Sequence, residues 1–354
     1  MKSKVIGLII LIAVIAIAAI YAFVSASQVA TTTLSGYIGG EKIGFIEDPD
    51  VQSILDERYH LKLDYSRAGS IDMINANDLP DRDFLFPSSQ TALELYTQAH
   101  GEPVKSQIVF NTPIVLYSHK PVVDALINQG VAACNNGVYT VDMAKLVALL
   151  QAGTDWSDIG LPELYGPVTV GTTSPADSNS GNMFAGLIAN VLNGGKVVDE
   201  TTISQILPDL RQIFTQLGYM ETSSSDLFDQ FLKTGIGAKP LIAGYENQLL
   251  EFAKANPDSW NQIKDDIIML YPTPTVWSSH VYIALDDAGA AAIDALMDPD
   301  IQAIAWESHG FRTGIAGTAL DTSGFPVDGI QSNITSTMPM PNAEIMELII
   351  TALE

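Results

Sequence analysis

Residues 172–182 read Thr-Thr-Ser-Pro-Ala-Asp-Ser-Asn-Ser-Gly-Asn and lead into the apolar run 183–192. Small hydroxyl and amide residues at a helix start leave backbone N–H groups unpaired and set further donors beside them. The helix dipole adds partial positive charge at the same point. Such a turn can hold an anion or a polar ligand by hydrogen bonds alone. An ordinary N-cap has the same composition, so the rest of the chain has to decide between the two. Similar turns recur. Glu41 and Lys42 follow a short apolar stretch, as do Ser66, Gly69 and Ser70, then Ser88 and Ser89. In the second half Ser178, Ser180, Gly181 and Asn182 form the turn just described, Tyr245 and Glu246 close another, and Thr273 sits in a Pro-rich third. One such turn is unremarkable; several in one chain describe a collected set of polar groups, as a binding site requires.

Bond-making chemistry is poorly supplied. Lys233-Thr-Gly235 and Ser180-Gly-Asn182 match two fragments of the β-lactamase set, but no Ser-x-x-Lys occurs anywhere in the chain, and a nucleophile without its base is inert. A Gly-x-Ser-x-Gly elbow is also absent. The five histidines, His60, His100, His119, His280 and His309, are scattered without a pair at metal-ligand spacing, so no metal and no cofactor is expected. Glu47-Asp-Pro-Asp50 lacks a calcium-loop pattern and reads as the acidic start of a helix.

The elements that must position these turns alternate regularly. Strands are expected at 35–38, 61–65, 83–86, 108–117, 168–170, 241–243, 267–271 and 280–284. Helical spacing is clear at 49–59, 91–99, 120–129, 141–151, 183–193, 201–217, 224–233, 245–255, 287–297, 299–309 and 343–353, with a shorter helix at 71–76. Strands alternating with helices of this length imply α/β layers. Two sheets with a crossing between them suit 354 residues, 47% of them hydrophobic, better than one sheet. Ligands in such sheets bind beyond the carboxyl ends of strands, which is where the polar turns fall.

Lys2 and Lys4 precede the uncharged apolar stretch 5–24. It is long enough to span a bilayer, and Ser25-Ala26-Ser27 also suits a signal peptidase. Residues 1–26 are therefore expected as a signal peptide or a signal anchor, with the remainder outside the membrane. Cys134 is the only cysteine, so there is no internal disulfide and no lipid-bearing cysteine at the segment's end. The net charge of -24 argues against nucleic acid and anionic lipid as partners. It does not oppose a small anion, because a helix N-terminus acts at short range while surface charge is screened over roughly 10 Å.

Taken together, the exported N-terminus, three strand–helix turns in the first part, the crossing Thr112-Pro-Ile-Val-Leu-Tyr117 and the return at Tyr271-Pro-x-Pro-Thr275 resemble the type 2 periplasmic (extracellular solute) binding proteins over most of residues 35–315. The Ser178-x-Ser180-Gly181-Asn182 turn looks like the oxyanion-binding turn of the phosphate, sulfate and molybdate binders, although it lacks the Arg of some phosphate binders. The resemblance implies a two-lobed α/β fold after an N-terminal apolar helix, each lobe a mixed, mainly parallel sheet flanked by helices. It divides the chain into residues 27–116 in lobe 1, 117–270 in lobe 2 and 271–354 returning to lobe 1, with hinges near 112–119 and 271–279. It also implies a non-enzymatic protein at the outer face of the membrane, or secreted, that captures a small polar ligand, an oxyanion in the first place, for the permease of an ABC-type importer. A membrane-tethered sensor of the same fold is the alternative. Ligand contacts would come from Glu41, Lys42, Ser66, Gly69, Ser70, Ser88, Ser89, Ser178, Ser180, Gly181, Asn182, Tyr245, Glu246 and Thr273, with Arg67 as a further cation.

Overall fold

The computed structural model describes residues 30–314 and 319–354. The apolar segment 1–26, expected as a signal peptide or anchor, lies outside the described residues. Among the described residues no helix is long and apolar enough to cross a membrane.

The first lobe opens with β1 (Thr32–Ile38), a single 3-10 turn at Gly40–Lys42, α1 (Ile43–Glu47), α2 (Pro49–Tyr59), β2 (Leu61–Arg67), β3 (Phe84–Phe86) and α3 (Gln90–His100). β4 (Lys105–His119) then crosses into the second lobe. There follow α4 (Lys120–Asn128), β5 (Ala132–Asn135), β6 (Val138–Asp142), α5 (Met143–Ala152), α6 (Asn179–Leu192), α7 (Ile203–Thr215) and α8 (Ser224–Thr234). β7 (Leu241–Tyr245), α9 (Glu246–Ala255), α10 (Pro257–Ile263) and β8 (Ile267–Thr273) complete that lobe's central order. β9 (Trp277–Ala284) returns to the first lobe with α11 (Asp287–Leu296) and α12 (Pro299–Glu307), and α13 (Ala343–Leu353) closes the chain. The expected helix at 71–76 is a series of turns.

Both lobes carry a mixed sheet. In the first, β2, β1 and β3 run parallel, and β9 lies antiparallel between β3 and the first half of β4. In the second, β4 lies between β7 and β8, antiparallel to both, and β6 runs parallel to β8. β4 therefore belongs to both sheets. Its partner changes from β9 to β7 between Pro113 and Ile114, at the proline whose missing N–H cannot continue a ladder. Residues from Val109 to His119 are buried without alternation, as expected of a strand covered on both faces. Residues 168–170, read as a strand, form none; only the next residue, Gly171, makes a parallel bridge, to Ile242 on β7.

α6 is buried around its whole circumference from Asn179 to Asn190, the pattern of a helix packed on all sides. α5, α7 and α13 surround it. The last of these departs from the expected division of the chain. Ile345, Met346 and Ile349 of α13 lie in the core of the second lobe with Phe184 and Leu210, each buried side chain contributing about 1.5–3 kcal/mol. Phe325, Val327, Ile330 and Ile334 join that lobe's other core. The chain thus crosses a third time after Phe311, which packs in the first lobe.

Candidate ligand-binding site

The ends of β1, β2 and β3 in the first lobe and of β7 in the second face one another across a cavity of about 300 Å³. Gly39, Gly40 and Glu41 follow β1, Arg67 ends β2 and Ala68–Ser70 follow it, and Ser88 follows β3. Opposite them lie Asp177, Ser178 and Asn179 at the start of α6, Thr222, Ser223 and Ser224 at the start of α8, and Tyr245 at the end of β7.

Two helix N-termini point at this space. Ser178 and Ser223 hold the N-cap positions of α6 and α8, yet neither side chain caps its helix. Elsewhere the same residue type does cap: Ser89 accepts from the Ala92 N–H at the head of α3. Ser223 and Ser224 are each 7% exposed, line the cavity, and have hydroxyls with no hydrogen-bond partner among the described residues. Neither hydroxyl is fully enclosed, so both are open to a partner in the cavity. The local sequence explains the position of α6. A Cβ at Gly181 would stand 2.1 Å from the Thr173 carbonyl, so only glycine lets the preceding loop fold back on the helix.

Behind the cavity wall stands a buried charged cluster. Lys42 is fully buried; its Nζ donates to Glu41 Oε1 at 2.5 Å and to Ser88 Oγ at 2.7 Å, and lies 3.2 Å from His280 Nδ1. The Ser88 hydroxyl in turn donates to Glu41 Oε1. Burial pushes the Glu41 carboxyl up, but the charge of Lys42, with the hydrogen bonds from Lys42 and Ser88, outweighs it and holds it at about 2. For Lys42 the balance is reversed: burial pulls the ammonium down against the attraction of Glu41. Burial, and then Lys42, keep His280 well below the usual histidine range. His280 is thus neutral and accepts at Nδ1, leaving its buried Nε2 without a partner.

The two lobes already touch around the site. Asn179 Nδ2 donates to the Ser88 carbonyl and to the Tyr245 hydroxyl, each at 2.9 Å. Within the first lobe, Ser278 donates to the same Ser88 carbonyl at 2.5 Å. Arg67 pairs with Asp226 at 3.1 Å across the mouth, and a Cβ on Gly69 would stand 2.3 Å from the Asp177 carbonyl. Burial, and then Asp177, push the Asp72 carboxyl up.

Of the residues expected from sequence, Glu41, Arg67, Gly69, Ser70, Ser88, Ser178 and Tyr245 line the cavity. The others do not. Lys42 lies behind Glu41, because a fully buried ammonium needs its partners. Ser66 is still within β2, paired in register with Tyr37, and Ser89 is occupied as the cap of α3. Ser180 bonds to Thr173 and Ser178 inside the loop, Gly181 abuts Thr173, and Asn182 is buried in the first turn of α6. Glu246 forms a bidentate pair with Arg312, at 2.6 and 2.8 Å, and Thr273 donates to the Val141 carbonyl. Ser223, Ser224, Asn179, Asp72 and Asp177 are among the lining residues that sequence reasoning passed over. The signal for two of them was present in Thr222-Ser-Ser-Ser-Asp226, a capping-type start to a helix. It was missed because no strand precedes it. The Lys233-Thr-Gly235 triplet ends α8 at the surface, with Lys233 paired to Asp229.

No family model and no curated protein matches the sequence. Solved structures match along nearly its whole length. A substrate binding protein of an ABC transporter from Agrobacterium tumefaciens aligns with a TM-score of 0.58 at 13% identity, over 93% of this chain and 96% of that one. A periplasmic thiamin binding protein aligns at 0.59 and 12%, over 92% and 96%. The sulfate-binding protein of Mycobacterium tuberculosis aligns at 0.54 and 14%, over 90% and 96%. The architecture is the two-lobed type 2 periplasmic-binding fold expected from the sequence.

Proposed function

We propose that this chain is a solute-binding protein working outside the cell membrane, which captures a small polar solute between its lobes for an ABC-type importer and makes or breaks no bond. One observation carries the reading: the uncapped N-termini of α6 and α8 converge, with the unpartnered hydroxyls of Ser223 and Ser224, on one interlobe cavity. Such donors replace the water an anionic group loses on burial without adding a counter-charge. An oxyanion or carboxylate group of the solute is accordingly assigned to this end. Ser70, Ser88, Ser178 and Tyr245 complete the polar lining, and the lobes close about β4 and the link from β8 to β9. The shared fold of the thiamin and sulfate binders supports capture of a small solute; the chemistry of this cavity, not theirs, supports the anionic end.

A thermal-shift screen over oxyanions, amino acids and sugars tests the reading. A solute at 100 times its Kd adds about 2.7 kcal/mol to the folded state. Ser223→Ala with Ser224→Ala should abolish the shift while leaving the unliganded protein's melting unchanged. Absence of a shift with every probe, or a shift indifferent to both serines, would remove the proposal.

A further inference from the structure

We infer that the solute is a small zwitterion, carrying a cationic group that meets Glu41 as well as an anionic group held by the starts of α6 and α8. The inference rests on the binding role proposed above and specifies its ligand. The side chain of Glu41 is 6% exposed and lines the cavity. Both hydrogen bonds to its carboxylate, from Lys42 and from Ser88, reach Oε1. Oε2 has no partner among the described residues, and it is not among the fully enclosed unpartnered atoms. A buried, ionised carboxylate therefore offers one bare oxygen to the cavity. A cation that brings its own donors is the strongest partner for such a carboxylate oxygen, and an ammonium group supplies both the charge and the donors.

The charge of the lining agrees. Glu41, Asp72 and Asp177 face the space against Arg67 alone, and Arg67 is already engaged by Asp226. Asp72 and Asp177 come from opposite lobes, and burial and then Asp177 raise the Asp72 carboxyl. A purely anionic solute would enter among carboxylates with no free cation. One bearing its own positive group relieves that repulsion while its anionic end takes the uncapped helix starts. The cavity, about 300 Å³, is at the small end of ligand pockets, which suits a molecule of metabolite size.

The test uses the twenty amino acids as zwitterions, sulfate and phosphate as pure anions, simple primary amines as pure cations, and neutral sugars. At least one amino acid should raise Tm and bind in calorimetry. Its N-acetyl derivative and its carboxamide should each bind at least tenfold more weakly. Glu41→Gln, which keeps an acceptor for Lys42, should weaken the amino acid at least tenfold. Asp72→Asn, at the exposed mouth, should weaken it severalfold without touching the core. Tight binding of sulfate, phosphate, an amine or a sugar in place of every amino acid overturns the zwitterion and leaves the binding role standing. Equal affinity for the N-acetyl form has the same consequence. Failure of every probe overturns both.

Discussion

Replacing Lys42 with methionine strips the buried cluster of its cation and leaves the carboxylate behind. Glu41 falls from an ordinary value of 4.5 to about 2 in the folded chain. At about 1.4 kcal/mol per unit, its surroundings favour the charged form by roughly 3 kcal/mol. Lys42 returns much of this, since its own burial costs the ammonium more than Glu41 restores, so the intact pair positions Ser88 and Glu41 more than it stabilises the fold. Removing one partner is a different matter: a stranded buried charge costs about 3–5 kcal/mol. The sign with pH follows. In the native chain the Glu41 contribution is complete above 4.5 and disappears as pH falls through about 2. In Lys42→Met the carboxyl has lost its main counter-charge, burial raises it, and folding takes up a proton. The deficit should therefore be largest near pH 7 and shrink toward pH 5. Urea unfolding followed by circular dichroism at both pH values measures it, and Glu41→Gln in the same chain should recover most of the loss. A deficit below about 1 kcal/mol, out of line with a stranded buried charge, or one equal at both pH values, would refute the account of the cluster.

Three further outcomes are expected. Gly69→Ala puts a Cβ 2.3 Å from the Asp177 carbonyl across the cleft; it should leave each lobe folded but hold them apart, enlarging the radius of gyration in X-ray scattering and weakening any bound solute at least tenfold. Arg67→Ala breaks an ion pair whose partners are 42% and 53% exposed; such pairs contribute about 0–1 kcal/mol, so melting should barely move, and the effect on solute affinity should fade in high salt. His309 lies between Glu251 at 2.8 Å and Asp48 at 3.1 Å; burial lowers it, but the two carboxylates outweigh that and raise it. Its stabilisation is full below the unfolded value and is lost as pH rises through the raised one. His309→Gln should thus cost about 1.5–3 kcal/mol at pH 5.5 and distinctly less at pH 9, as read by urea unfolding, and a native His309 titrating at or below 6.5 by NMR would contradict it.

Sequence alone determined the alternation of elements, the two-lobed α/β architecture and the general position of the polar turns, because these depend on periodicity and on local backbone chemistry. It also singled out Glu41, Gly69, Ser70, Ser88, Ser178 and Tyr245, all of which line the one cavity. The choice among neighbouring hydroxyls was not local. Ser178 and Ser180 are two residues apart, yet one reaches the cavity and the other is consumed by Thr173. Ser223 and Ser89 both stand at helix N-caps, yet only Ser89 caps. Lys42 looked like a free cation and is buried under Glu41, while Glu246, with the same standing in sequence as Glu41, is paired with Arg312 from 66 residues away. α13 packs on the second lobe although it follows the return to the first. Each of these outcomes depends on which distant group arrives to satisfy a donor, an acceptor or an apolar face, and that is fixed only when the lobes close the chain on itself.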